Sequence, residues 1–231
     1  MNTRADTMIT CRNVTKRFRN GNTETTVIND VSLHIEKGEF VALTGKSGSG
    51  KSTLLNMIGL IEVPDSGTID IAGSDTGRMT DIQRAEIRNH KLGYIFQSFY
   101  LEERYNVFRN IEMPLLISDV PKAERKKRIS ECMEYVDISE KSGQPAETLS
   151  GGEKQRVCIA RALANDPDII LADEPCGNLD SVNTERVMEL LRKLSDAGKT
   201  ILMVTHSMED AQYADRIITL RDGVITDEDR K

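Results

Sequence analysis

At 231 residues, with 29% charged side chains and a formal net charge of −6, the chain has material for one or two compact domains and an ordinary soluble balance of charge. That acidity argues against a nucleic-acid partner, whose footprint would be basic. No apolar stretch approaches the roughly twenty residues of a membrane-spanning helix, and the four scattered cysteines (Cys11, Cys132, Cys158, Cys176) show neither metal-ligand spacing nor a disulfide framework. Met1 to Thr10 lacks the apolar core of a signal peptide, so a reducing cytosol is the expected setting.

Met8 to Phe18 and Thr25 to Ile35 alternate apolar and polar residues, which predicts two antiparallel strands around a turn at Arg19-Asn20-Gly21-Asn22. Phe18, closing the first strand, suits either a packed core position or a ring stacked on a base. Lys37-Gly38-Glu39 then turns the chain into Phe40-Val41-Ala42-Leu43, an apolar run fit for a buried parallel strand.

The next stretch fits G-x-x-x-x-G-K-[ST] over Gly45 to Ser52 and runs straight into a helix opening at Leu54-Leu55-Asn56-Met57-Ile58. Gly45, Gly48 and Gly50 admit backbone angles closed to other residues, so the main chain can wrap an anion. The helix start adds free N–H groups and a positive dipole end. Lys51 would reach β- and γ-phosphates and Ser52 would offer a hydroxyl to Mg²⁺. The loop therefore predicts binding of a nucleoside triphosphate.

Val63 to Gly67 reads as a turn, Thr68 to Ile71 as a strand and Met79 to Asn89 as a helix. Leu92 to Phe96 is another short strand, and it delivers Gln97, an amide placed to reach a metal or a water, or to be satisfied by backbone groups. From Asn106 to Val136 the spacing is helical. Pro121 opens a helix with an Ile129, Cys132, Met133, Val136 stripe, and its basic run Lys122 to Arg128 reads as a solvated face, the alternative being contact with acidic lipid or a partner. Ser139 to Thr148 is polar and reads as a linker.

Leu149-Ser150-Gly151-Gly152-Glu153-Lys154-Gln155 opens a further helix. Ser150 is a good N-cap and the glycines allow close approach, so a second helix end is prepared for an anion. One phosphate loop does not need two such sites, and the surplus points to assembly. Ile169 to Ala172 is an apolar run ending in Asp173, placed to hold Mg²⁺, and Glu174 follows at once, placed to polarise a water. Pro175 to Asp180 is a turn whose Asp180 caps a helix carrying the stripe Val187, Leu190, Leu191, Leu194. Lys199 to Thr205 is a buried strand with His206 at its carboxyl end, where open α/β sheets place their ligands. A hairpin around Asp222-Gly223 closes the pattern.

Together these residues resemble the ATP-binding-cassette (ABC) ATPase domain from Met8 almost to the end. The resemblance implies an α/β P-loop fold: a RecA-like core, an antiparallel β subdomain and an inserted helical subdomain at about residues 98–165, with 1–231 as a single nucleotide-binding domain. It assigns Gly45, Lys46, Ser47, Gly48, Ser49, Gly50, Lys51, Ser52 and Thr53 to the Walker A loop, Gln97 to the Q-loop, and Asp173 with Glu174 to Walker B and the catalytic carboxylate. Leu149 to Gln155 matches the signature motif, with Ser150, Gly151, Gly152 and Glu153 at the nucleotide. Asn178-Leu179-Asp180 matches the D-loop, His206 the switch histidine and Phe18 the aromatic that stacks on adenine. ATP and Mg²⁺ are the implied ligands, with Ser52, Gln97 and Asp173 around the metal and Lys51, Gln97, Glu174 and His206 in catalysis. Two cassettes would meet head to tail, each ATP lying between one chain's Gly45–Thr53 and the other chain's Ser150–Gly152.

Within the family, Asp173-Glu174-Pro175-x-Gly177-Asn178-Leu179-Asp180 and Phe96-Gln97-Ser98-Phe99 are most similar to the MacB/LolD/FtsE group. That implies a homodimer on the cytoplasmic face of the cell membrane, held by an integral membrane permease subunit and driving export or extraction of an amphiphile. The alternative is a regulatory ATPase that activates cell-wall hydrolases through a membrane partner. A soluble cassette acting on ribosomes or DNA fits less well with one cassette and an acidic balance. With only Asp227 to Lys231 after the hairpin, no regulatory C-terminal domain is expected. Two departures stand out: Cys176 replaces the group's usual Thr, either as a packed small residue or as an oxidisable thiol, and Tyr100 to Tyr105 is less apolar than the family run.

Overall fold

The computed structural model describes residues 7–21 and 23–230, so the first six residues, Asn22 of the expected turn and Lys231 lie outside the described residues. Strands β1 (Thr7–Asn20) and β2 (Thr23–Glu36) form a long antiparallel pair, and β4 (Ser66–Ile71) and β5 (Ser74–Asp75) complete a sheet of order β2-β1-β4-β5. Their alternation buries one face, with Ile9, Cys11, Val14, Ile28, Val31, Leu33, Ile35, Ile69 and Ile71 pointing inward.

The second sheet runs β10-β9-β3-β8-β7-β6. Its strands are β3 (Phe40–Thr44), β6 (Leu92–Phe96), β7 (Ile169–Asp173), β8 (Thr200–Val204), β9 (Arg216–Arg221) and β10 (Val224–Arg230). All pairings are parallel except the β9–β10 hairpin. Burial on both faces explains the unbroken apolar runs in β3, β7 and β8. Phe40, Ala42, Ile170, Ala172, Ile201 and Met203 pack into one core, and the intervening Val41, Leu43, Ile169, Leu171, Leu202 and Val204 into another. The second core holds α1 (Lys51–Ile58) and the antiparallel sheet; the first holds α5 (Gly151–Leu163), α6 (Ser181–Asp196) and the apolar stripes of α3 (Val107–Ile117) and α4 (Lys122–Tyr135). α2 (Asp81–His90) precedes β6, and the short α7 (Met208–Ala211) follows β8. Among the described residues no helix is long and apolar enough to cross a membrane.

The expected linker at Ser139 to Thr148 is instead laced down. It forms 3₁₀ turns at Ser139–Lys141 and Ala146–Thr148, and Ala146 is buried. Val107 N–H donates to the Gln144 carbonyl at 3.0 Å and Ala146 N–H to the Tyr105 carbonyl at 2.9 Å. These partners lie far away in sequence, so polarity alone read as freedom.

Arg216, at the start of β9 and 1% exposed, ties the sheets together. Its guanidinium faces Glu39 at 2.9 Å and Glu228 at 2.8 Å, and donates to the carbonyl of His34 on β2. Removing one member of such a buried group strands the opposite charge. Arg216→Met is expected to lower unfolding free energy by about 3–5 kcal/mol in urea titration, and adding Glu39→Gln to recover part of that loss.

Candidate functional site

β3 ends at Thr44 and the chain enters the glycine loop. Gly45 has φ 143°, and a Cβ there would lie 2.1 Å from the Leu220 carbonyl oxygen on β9. Gly50, at φ 101°, is the N-cap of α1, and a Cβ there would lie 2.7 Å from the Val27 carbonyl oxygen on β2. The obstacles are backbone and do not move aside. Lys51, the first residue of α1, is 6% exposed, and its ammonium donates to the carbonyls of Gly45 at 2.8 Å and Lys46 at 3.0 Å. The Ser49 hydroxyl is buried with no partner among the described residues. A helix N-terminus, an enclosed ammonium and an orphaned hydroxyl make a cradle that fits a polyphosphate.

The other groups arrive by the same topology. The carboxyl ends of parallel strands β6, β7 and β8 deliver Gln97, Asp173 with Glu174, and His206 to the edge that carries the loop. They meet Ser47, Gly48, Gly50, Lys51, Ser52, Thr53 and Val27 around an open cleft of about 570 Å³. Ser52 Oγ donates to Asp173 Oδ1 at 3.1 Å. Burial pushes the Asp173 carboxyl above its ordinary value and adjacent Glu174 adds to that, while the Ser52 hydroxyl and the Lys51 charge oppose it. A desolvated carboxylate beside a hydroxyl suits a hard divalent cation such as Mg²⁺.

Glu174 adopts a left-handed backbone, φ 48°, and its N–H donates to the Val204 carbonyl at 2.9 Å. Holding a non-glycine residue there costs about 1–3 kcal/mol, strain of the kind that collects at functional sites. Its carboxylate hydrogen-bonds His206 Nδ1; His206 is otherwise largely exposed and Glu174 mostly buried. Gln97 lies against Gly177, where a Cβ would come 2.6 Å from its Nε2, and Asn178 Nδ2 donates to the Gln97 carbonyl at 3.0 Å.

The signature stretch lies outside this cleft. Ser150 caps α5 by a reciprocal box: Glu153 N–H donates to Ser150 Oγ at 3.3 Å, and Ser150 N–H to Glu153 Oε2 at 2.8 Å. The Ser150 backbone donor holds the Glu153 carboxyl below its ordinary value, assisted by the Ser150 hydroxyl and Lys141. Asp180 caps α6, accepting from Asn183 N at 2.8 Å and from its side-chain amide, which lowers its carboxyl likewise. The Asn183 amide packs onto Gly152, where a Cβ would lie 2.1 Å from Asn183 Oδ1, so the starts of α5 and α6 abut. Phe18 also stands outside the cleft lining, 42% exposed, opposite Thr25 and two residues along the hairpin from cleft-lining Val27, with Lys16 over its ring at 5.3 Å. Cys176 is a packed small residue: burial pushes its thiol up to about 12, too high for a reactive thiolate. Val27 and Asn183 gave no sequence signal, since one is an ordinary strand apolar and the other a helix polar residue.

A family profile described as ABC transporter matches residues 28–177. The chain belongs to the ABC transporter family. It is 44% identical over 97% of its length to the macrolide export ATP-binding/permease protein MacB of Chlorobaculum tepidum, of which it spans only 34%. It is 42% identical over 96% of its length to the ABC transporter ATP-binding protein YvrO of Bacillus subtilis, covering 97% of that chain. The ATP-binding cassette MJ0796, solved as a dimer in a post-hydrolysis state with ADP and Pi, superposes with a TM-score of 0.90 at 40% identity, covering 96% of this chain and 98% of that one. The P-loop cassette fold expected from the motifs is therefore the fold of this chain.

The glycines give a graded test. Gly50→Ala puts a Cβ against backbone at φ 101° and is expected to abolish binding of a fluorescent ATP analogue. Gly48→Ala meets nothing within 4 Å at φ 79° and should weaken binding only by the left-handed strain, about 1–2 kcal/mol.

Proposed function

We propose that the chain is the ATP-hydrolysing subunit of a membrane transporter of the MacB/LolD type. The observation that carries this reading is the convergence of the Lys51 cradle, the Ser52–Asp173 pair and the Glu174–His206 pair on one cleft. Gly45 to Thr53 would hold the ATP phosphates, with Lys51 turning from its own loop carbonyls to the β- and γ-oxygens. Ser52, Asp173 and Gln97 would hold Mg²⁺, which when bound would offset the negative charge of the phosphates. Glu174 would orient the attacking water and accept its proton, and His206 would fix the Glu174 carboxylate and face the γ-phosphate. Most of the rate would come from positioning and preorganised charge.

Two copies would pair head to tail, so that Ser150, Gly151 and Gly152 of one face the γ-phosphate held by the other. The capped end of α5 supports this, because it presents a glycine-lined helix N-terminus outside its own chain's cleft. Asp180, beside that end, would lie at the same seam, and Phe18 would stack on adenine at the outer end of the cleft. Coupling to an integral membrane permease at the cytoplasmic face is supported by the transporter names of the relatives, and export or extraction of an amphiphile by the MacB name.

Glu174→Gln is expected to bind ATP with unchanged affinity, release no phosphate and accumulate as a dimer in size-exclusion chromatography with Mg-ATP. Lys51→Ala should instead weaken ATP binding by about 1.5–3 kcal/mol, the worth of hydrogen bonds to a charged group. Wild-type phosphate release from Glu174→Gln would remove the water-orienting role assigned to Glu174.

A further inference from the structure

Directly after Gln97 the backbone makes an expensive turn. Phe99 and Tyr100 are both left-handed, at φ 58° and 47°, with no glycine in the segment. Two such residues in sequence persist only where the surroundings hold them. The holder is α5: Arg161 Nη1 donates to the Tyr100 carbonyl at 2.5 Å, Arg161 Nη2 to the Phe99 carbonyl at 2.8 Å, and the buried Cys158 thiol contacts the same Phe99 oxygen at 3.1 Å. A planar guanidinium grips two successive carbonyls in a fixed orientation, which an ammonium does not reproduce. On the other side the Tyr100 ring meets Phe96 edge-on at 5.1 Å, Phe96 stacks on Tyr94 at 4.1 Å, and the Tyr94 hydroxyl donates to Asn56 on α1 at 2.7 Å.

The turn is therefore a joint between the two helices whose N-termini are prepared for phosphate, α1 at Lys51 and α5 at Gly151. α5 carries Ser150–Gly152 at one end and Arg161 near the other. We propose that Arg161 is a positioning residue, locking α5 to the segment behind Gln97 so that the two move as one body. This rests on the ATPase reading above. Arg161 lies outside the lining of the phosphate-loop cleft. It would set the aim of α5's anion-facing end, and so act on closure and turnover rather than on the first binding of ATP.

The test compares wild type, Arg161→Gln and Arg161→Lys in the full chain, reading fluorescent ATP-analogue affinity, phosphate release and thermal melting together. Arg161→Gln should leave affinity within about two-fold of wild type. Its kcat should fall about 100-fold, the scale of a ~1 Å misplacement at a reacting centre. Placed on Glu174→Gln, it should prevent the ATP-driven dimer. Arg161→Lys should recover only part of kcat. Tyr100→Gly, which relaxes the left-handed strain but rebuilds no tether, should restore the melting temperature and not the turnover when combined with Arg161→Gln. Equal loss of affinity and kcat, or an unchanged kcat, would overturn the proposal, as would failure of every Arg161 variant to fold with no rescue by Tyr100→Gly. A wild-type chain that releases no phosphate would instead overturn the ATPase reading on which it stands.

Discussion

The carbonyl oxygen of Val27 occupies a gap that glycine alone can border. Gly50 closes it from the phosphate loop and Gly223 from the β9–β10 turn, and a Cβ at either would come within 2.7 Å of that oxygen. Gly45 stands in the same relation to the Leu220 carbonyl on β9. Close backbone approach at these points docks the antiparallel sheet on the parallel one and fixes the loop between them. Asn29 N–H to the Gly223 carbonyl, 2.9 Å, and Gly223 N–H to the Ser49 carbonyl, 3.1 Å, complete the junction. The start of α1, and with it Lys51, has its place from this contact.

Around that fixed point the parallel sheet acts as a registering device. Strands buried on both faces have no freedom to slip, since a one-residue shift would exchange the two cores. β3, β7 and β8 therefore bring Gly45, Asp173 and Thr205 to a common edge, and the residue after each turns into the cleft or the loop. The strained Glu174 backbone lines the cleft, and the orphaned Ser49 hydroxyl lies inside the loop beside Gly45. α5 belongs to the other core and its capped end lines no part of the cleft, so one chain carries a phosphate-loop cleft and a separate capped helix end.

Much of this was legible in the sequence because the signals were local. The Gly45 to Ser52 pattern, the apolar runs of β3, β7 and β8, and the caps Ser150 and Asp180 each depend on a few neighbouring residues. What escaped depends on partners distant in the chain. Ser139 to Thr148 read as a linker because its hydrogen-bond partners at Tyr105 and Val107 carry no mark in its own composition. Arg216 carries no mark of burial in its neighbouring residues, and its burial follows from Glu39 and Glu228 closing on it. Asn183, wedged over Gly152 by Asp180, and Arg161, holding the turn after Gln97, likewise show their roles only in space.

In the proposed head-to-tail pair, the end of α5 completes an ATP site belonging to the other copy of the chain. Gly151 offers a clean probe, because a Cβ there would meet only ordinary contacts, 3.6 Å to the Asn178 carbonyl oxygen and 3.7 Å to Leu179. Gly151→Asp places a negative charge at that end, with ordinary contact at its Cβ. The decisive measurement is sedimentation of Glu174→Gln with and without Gly151→Asp in saturating Mg-ATP, with ATP affinity measured alongside. Unchanged affinity is expected, with a monomer where Glu174→Gln alone is a dimer. A dimer that persists with Gly151→Asp would contradict the proposed pairing.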